Sequence, residues 1–96
     1  MAINELILKN RKAILAITSK YGAKNVRIFG SMAKGSASSK SDVDILIELE
    51  KGKGLFDIIS MKQDIEDLLH RKVDIVTEAA VSPYMREEVL NEAVAL

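Results

Sequence analysis

The chain has 96 residues, and its 14 basic and 14 acidic side chains cancel, so no net field draws the whole molecule toward nucleic acid or membrane. That length suits a single domain spanning residues 1–96, able to bury roughly 60–65% of its unfolded surface but too small for several substrate pockets. Cysteine is absent, which excludes disulfides, thiolate zinc and thiol chemistry; with no apolar run near the ~20 residues of a membrane span, a cytoplasmic protein is expected.

Ile3, Leu6, Ile7, Ile14, Ile17 and Tyr21 recur at helical spacing around the polar stretch Lys9 to Lys12, predicting one amphipathic helix over 3–21 capped by Gly22. "NVRIFG" reads as a short buried strand ending at Gly30. The serine-rich stretch 31–41 is expected to hold a loop or short helix. "DVDILIEL" alternates, placing Val43, Ile45, Ile47 and Leu49 on one face and Asp42, Asp44, Leu46 and Glu48 on the other. After a "KGKG" turn, Ile58, Met61, Ile65, Leu68 and Leu69 predict a second long helix over 55–69, ending near His70. "KVDIVTE" is a third strand. "SPYMREEVLNEA" predicts a last helix with Ser82 as N-cap, Pro83 at its first position and Met85, Val89 and Ala93 facing inward. The expected class is therefore α/β of the α+β type, with about four helices packed on a small mixed sheet of three to four strands.

Three aspartates in this frame carry the chemistry. Asp42 and Asp44, two apart on a strand, project to the same side roughly 6.5–7 Å apart along the backbone. Taken alone, D-x-D is common and reads better as a loop cap followed by an exposed side chain. Asp74 changes the reading, because it stands among Val73, Ile75 and Val76, where an ionised carboxylate is costly unless paired or metal-bound. If its strand neighbours that of Asp44, three carboxylates meet at one end of one sheet face. Hard oxygen donors in that number suit Mg²⁺ completed by substrate phosphates, in the two-metal manner of in-line phosphoryl displacement. Gly30 allows a sharp turn out of the first strand, and Ser31 can open a short helix whose free N–H groups attract phosphate. His70 reads as a solvated helix-terminal residue, "GKG" at 52–54 as a turn, and Tyr84 and the serines at 36, 38, 39 and 41 as turn and surface residues.

The combined pattern, Gly-Ser followed ten residues later by D-x-D and then by a strand aspartate, resembles the minimal nucleotidyltransferase (MNT) family of the DNA polymerase beta superfamily. The resemblance is closest to the MNT-domain antitoxins encoded beside HEPN-domain toxins. It runs from "RIFGSMAKGS" through "SDVDILIELE" and "LLHRKVDIVTE" to "SPYMREEVLNEAV". It implies a nucleotidyltransferase fold, with Asp42, Asp44 and Asp74 as catalytic residues and as ligands of two Mg²⁺ ions. Gly30, Ser31 and Lys34 would bind the phosphates of ATP. Family members often carry arginine where this chain has Met32 and Lys34; lysine still serves as a point charge for phosphate, and methionine does not.

What the resemblance implies is transfer of AMP from ATP to a tyrosine hydroxyl of a HEPN toxin, as the antitoxin of a type VII toxin–antitoxin pair. A chain with almost nothing beyond its core is expected to take its acceptor from a partner, alone or in a homo- or hetero-oligomer, without binding nucleic acid directly. Two other readings compete: an antitoxin that neutralises by binding alone, and a metal-dependent phosphatase or nuclease, which the upstream Gly-Ser disfavours. The sequence does not specify the nucleobase, the number of units transferred or the acceptor.

Overall fold

A computed structural model describes residues 4–34 and 41–96. In chain order it contains helices α1 (Glu5–Lys9) and α2 (Arg11–Lys20), strand β1 (Ala23–Phe29), the one-turn helix α3 (Ser31–Lys34) and strand β2 (Val43–Leu49). There follow helix α4 (Leu55–Leu69), strand β3 (Val73–Thr77), a 3₁₀ turn (Glu78–Ala80), helix α5 (Pro83–Glu92) and the short strand β4 (Val94–Ala95).

The four strands form one mixed sheet in the order β3-β2-β1-β4. β2 runs antiparallel to β1 and parallel to β3, the latter joined through α4. The alternation read from the sequence then sorts the faces. Val26, Ile28, Val43, Ile45, Ile47 and Val73 point to a core shared with Ile7, Ile14, Met61, Ile65 and Leu69 of α1, α2 and α4. Six of these residues are aliphatic strand positions on one face, so most of the hydrophobic stabilisation lies on that side of the sheet. Tyr21 ties two of the covering helices together by donating its hydroxyl to Asp64 Oδ2 at 2.7 Å.

Where one helix over 3–21 is expected, there are two. Asn10 folds its own side chain back, donating Nδ2 to the Leu6 carbonyl at 2.9 Å; its backbone sits at φ −103°, ψ 11°, and the chain restarts as α2. Asparagine competing locally for backbone partners is the physical reason for the break. The first helix is capped by Asn4, whose Oδ1 accepts from Leu6 N at 2.8 Å, and the expected start at Ile3 lies outside the described residues. Gly22 stands just past the end of α2 at φ +79°, as a helix-ending glycine should. In α5, Pro83 occupies the first turn as expected and Val89 is buried, but Ser82 makes no side-chain capping bond and Met85 is 55% exposed. The inward stripe is therefore corrected to Val89 alone among fully buried positions, because α5 lies over the aspartate-bearing face by its C-terminal half.

That helix is tethered by charge. Glu78, in the 3₁₀ turn before it, accepts from Arg27 Nη2 at 2.9 Å and lies 3.4 Å from Arg86 Nη2. Arg27 holds the Glu78 carboxyl below the usual carboxylate range. A folded-state pKa depressed in this way gives stability present above the ordinary value of about 4.3, lost as pH falls through the lower folded value. Acidification below about pH 4 is therefore expected to loosen α5 first, read as faster amide exchange at Val89, and Glu78→Gln is expected to remove that part of the acid sensitivity. The effect is modest because the pair is solvent-accessible.

Candidate active site

Register brings the three aspartates together. In the parallel β2–β3 pair, Asp44 stands opposite Asp74, and in the antiparallel β1–β2 pair the same Asp44 stands opposite Phe29, the residue before Gly30. Adjacent strands lie about 4.8 Å apart, so the ends of β1, β2 and β3 converge on one spot. Asp42 immediately precedes β2 and is exposed. Next to it, the Ser41 carbonyl accepts from Arg71 Nη1 at 3.4 Å.

Asp44 is the focus of the cluster. Burial, then the charge of Asp74, then that of Asp42 raise its pKa above the ordinary aspartate value. All three causes act in one direction, which marks a concentration of negative charge that a cation would relieve. Among the described residues, no three Asp, Glu, His or Cys side chains are already closed into a metal cage. The donor set nevertheless fits a hard divalent ion, since it offers only carboxylate oxygens from neighbouring strand ends.

Gly30 is fitted to Asp44. Its φ is +71°, and a Cβ built there would lie 2.5 Å from Asp44 Oδ2 and 3.5 Å from Asp44 Cγ. Only a residue without a side chain lets the β1–α3 turn pass this close to the carboxylate. Ser31 opens α3, and the Gly30 carbonyl accepts from Ala33 N and Lys34 N at 3.1 and 3.2 Å, closing the turn. The turn is also tied to the N-terminal helix, because Asn4 N donates to the Met32 carbonyl at 2.8 Å.

Met32 and Lys34 do different things. Met32 is fully buried in the core, so the methionine at this position packs the fold instead of standing at the site as a lost phosphate ligand. Lys34 pairs with Glu92 of α5 at 2.9 Å, and that hydrogen bond raises the lysine pKa. It is charged, half-exposed and engaged across the turn. His70 is an exposed left-handed residue, at φ 55°, ending α4, and Tyr84 is 97% exposed. Ser36, Ser38 and Ser39 lie outside the described residues.

Sequence reading missed the salt-bridge partner Glu92 and the strand β4. The charge of Glu92 on a helix of mixed composition gave no sign of its partner. Two residues, Val94 and Ala95, are too short to show alternation.

Three helices packed on one face of a mixed sheet, with a Gly-Ser turn and paired carboxylates at the strand ends of the other, make the fold of a minimal nucleotidyltransferase. A solved structure described provisionally as such superposes with a TM-score of 0.87 at 42% identity, covering 96% of this chain and 94% of the other. The chain belongs to the nucleotidyltransferase domain family, whose model matches residues 11–96. A Methanocaldococcus jannaschii protein named provisionally as a protein adenylyltransferase is 38% identical over 94 residues, covering 98% of this chain and 97% of the relative. The protein adenylyltransferase MntA of Thermococcus cleftensis is 32% identical over 78 residues, covering 81% of this chain and 79% of its own. A toxin–antitoxin structure solved with AMP-PNP superposes at a TM-score of 0.78 and 19% identity, covering 90% of this chain and 71% of that one; at that identity the likeness speaks for the fold alone. No helix among the described residues is long and apolar enough to cross a membrane.

Proposed function

We propose that the protein is a Mg²⁺-dependent protein adenylyltransferase, moving AMP from ATP to a hydroxyl of a toxin partner and so acting as its antitoxin. The observation that carries this is the register placing Asp44 beside Asp74 with the Gly30 turn pressed against the Asp44 carboxylate. In this reading one site offers phosphate and cations places within reach of each other. The adenylyltransferase names of the relatives support AMP as the unit transferred. The Thermococcus relative shares the name MntA with a solved MntA–HpeT toxin–antitoxin pair, which supports a toxin as the partner, and the HEPN class of that toxin follows from the motif resemblance.

In this reading Gly30 and Ser31 seat the triphosphate with backbone N–H groups and the serine hydroxyl, and Lys34 adds positive charge. Asp42, Asp44 and Asp74 would hold Mg²⁺, which when bound neutralises the phosphates and polarises the α-phosphoryl group. Asp74, on the edge strand, accepts the proton of the acceptor hydroxyl. The acceptor oxygen bonds to the α-phosphorus as the bond to the β-phosphate oxygen breaks, and pyrophosphate leaves. Positioning in line supplies much of the rate. On the toxin, the new phosphodiester and nucleoside would repel and occlude an RNA substrate.

The test uses the protein, a HEPN toxin encoded beside it, Mg²⁺ and ATP labelled at the α-phosphate. Label is expected on a toxin tyrosine, mapped by mass spectrometry, with the toxin's RNase activity lost in parallel. A toxin neutralised without label, equally well by the Asp44→Asn protein, would show an antitoxin acting by binding alone.

A further inference from the structure

The outer side of α4 carries apolar side chains that a lone copy of the chain does not bury. Leu55, Phe56 and Ile59 are 68%, 84% and 49% exposed, outside the core that Met61, Ile65 and Leu69 join on the helix's inner side. At about 3.6 residues per turn these three share one stripe, and Leu55 and Ile59 lie roughly opposite Asp64. Asp64 is the residue that ties α4 to α2 through Tyr21, so the stripe faces away from that neighbour. Contiguous exposed apolar side chains bordered by charge mark a surface that another molecule covers.

The same helix supplies a receptor for them. Beside Ile59 runs a groove of about 340 Å³ walled by Ile59, Lys62, Gln63, Glu66 and Asp67. The first four stand at i, i+3, i+4 and i+7, the corners of the hole into which a side chain of a facing helix inserts. Phe56 has the form of the inserting side chain but stands on the helix that bears the hole, so the two meet only across a pair of copies. Laid antiparallel about Ile59, two such helices set Phe56 of each opposite Lys62 of the other, within the hole, and Leu55 opposite Gln63. The aliphatic stem of Lys62 then covers the ring and its ammonium reaches the ring's face.

Charge sets the same orientation. The stripe runs from Lys51 and Lys53, exposed in the turn before α4, to Glu66 and Asp67 near the helix end. Glu66 already accepts from Val73 N at 2.9 Å, whereas Asp67 is exposed. Antiparallel copies bring the lysine turn of each toward Asp67 of the other, and parallel copies would set like charge on like. The helix dipoles agree, positive end to negative. α4 starts beyond the end of β2, whereas Asp42 and Asp44 stand at the start of that strand, so the pairing leaves the candidate active site uncovered.

We infer that the outer face of α4 is a self-association surface, on which two copies of the chain pair antiparallel about a two-fold axis near Ile59. The inference goes beyond the nucleotidyltransferase reading and does not depend on it. One helix pair is small for a specific interface, burying about 1,000 Å² or less, so the dimer is expected to be weak, with a Kd of about 10–100 µM.

Sedimentation velocity on the full chain at low ionic strength, from about a tenth to ten times that Kd, is the test. The wild type should pass from monomer to dimer, and Phe56→Ser should raise the Kd by about tenfold or more. Lys51→Glu and Asp67→Lys each put like charges at both end contacts of their own dimer, and each should weaken it by about tenfold. An equimolar mixture of these two variants puts opposite charges at both contacts, and should associate within about threefold of the wild type. All three positions are exposed, so circular dichroism should show the fold retained throughout. A wild type monomeric at every concentration, a Phe56→Ser protein that pairs as tightly, or a mixture no tighter than either variant alone would each overturn the inference. So would a wild type that stays monomeric by itself but loses affinity for its toxin partner on Phe56→Ser, since the stripe would then belong to the toxin.

Discussion

Asp44→Asn is expected to lower transfer by about a hundredfold or more while leaving the protein as stable as the wild type or more so. The substitution keeps shape and removes the charge at the centre of the cluster. Its sign on stability follows from the raised pKa, caused by burial first and then by Asp74 and Asp42. A carboxyl whose folded pKa lies above its unfolded value costs nothing below the ordinary aspartate value of about 3.9, where it is neutral in both states. Stability is then lost as pH rises through the folded value, because the folded state must carry an ill-solvated charge that the unfolded chain carries freely. The wild type should therefore lose stability as pH rises above about 3.9, by an amount that Asp44→Asn lacks. Mg²⁺ should reverse the order. A cation that binds only the folded protein raises the melting temperature in proportion to the logarithm of its concentration, so the wild type should gain from added MgCl₂ and the Asn variant should not. Melting curves at about pH 3.5 and 7, with and without Mg²⁺, check all of this together. A variant with full transfer, or one whose melting temperature climbs with Mg²⁺ as the wild type's does, would remove Asp44 from the metal site.

The contrast between what the sequence disclosed and what it hid follows interaction range. β2 was legible because its period-two pattern is local and one face is buried: Val43, Ile45 and Ile47 fall inward, and Asp44 falls on the other face as expected. The bounds of α4 are those read from its apolar spacing, since a fifteen-residue helix packed along one side leaves a clear stripe at Met61, Ile65 and Leu69. The convergence of Asp44 and Asp74 was conditional on which strands pair, and the parallel register supplies that condition. Hidden were choices that leave no periodic trace, whether made by one side chain locally or by side chains meeting from distant parts of the chain. Asn10 breaks the first helix through its own amide, a choice that periodicity does not record. Met32 was weighed as a substitute for a phosphate-binding arginine, yet it faces the core, because a one-turn helix decides by its orientation which of its residues turns inward. Lys34 was legible as a cation but not as the partner of Glu92, 58 positions later.

Gly30→Ala is expected to damage both fold and site, and Gly22→Ala serves to separate the two effects. Both glycines have left-handed backbones, at φ +71° and +79°, so an alanine costs roughly 1–2 kcal/mol at either position from backbone strain alone. For a domain of this size each kcal/mol lowers the melting temperature by about 4–8 °C. In both cases the new Cβ also meets the end or shaft of a flexible side chain: Lys53 Cγ at 2.7 Å for Gly22, and Asp44 Oδ2 at 2.5 Å for Gly30. Lys53 is exposed and can swing into solvent without consequence for the aspartates. The Asp44 carboxylate can turn aside only by moving within the charge cluster it forms with Asp74 and Asp42, or else the Gly30 turn must shift away from it. The two variants should therefore melt at similar, lowered temperatures, while transfer per folded molecule falls by about a hundredfold in Gly30→Ala alone, as expected when reacting groups are misplaced by about an ångström. Transfer rates measured well below both melting temperatures, with the folded fraction fixed by circular dichroism, give the comparison. If Gly30→Ala transfers AMP as well per folded molecule as Gly22→Ala, Gly30 is a turn residue only, and the close packing of turn against carboxylate has no part in the chemistry.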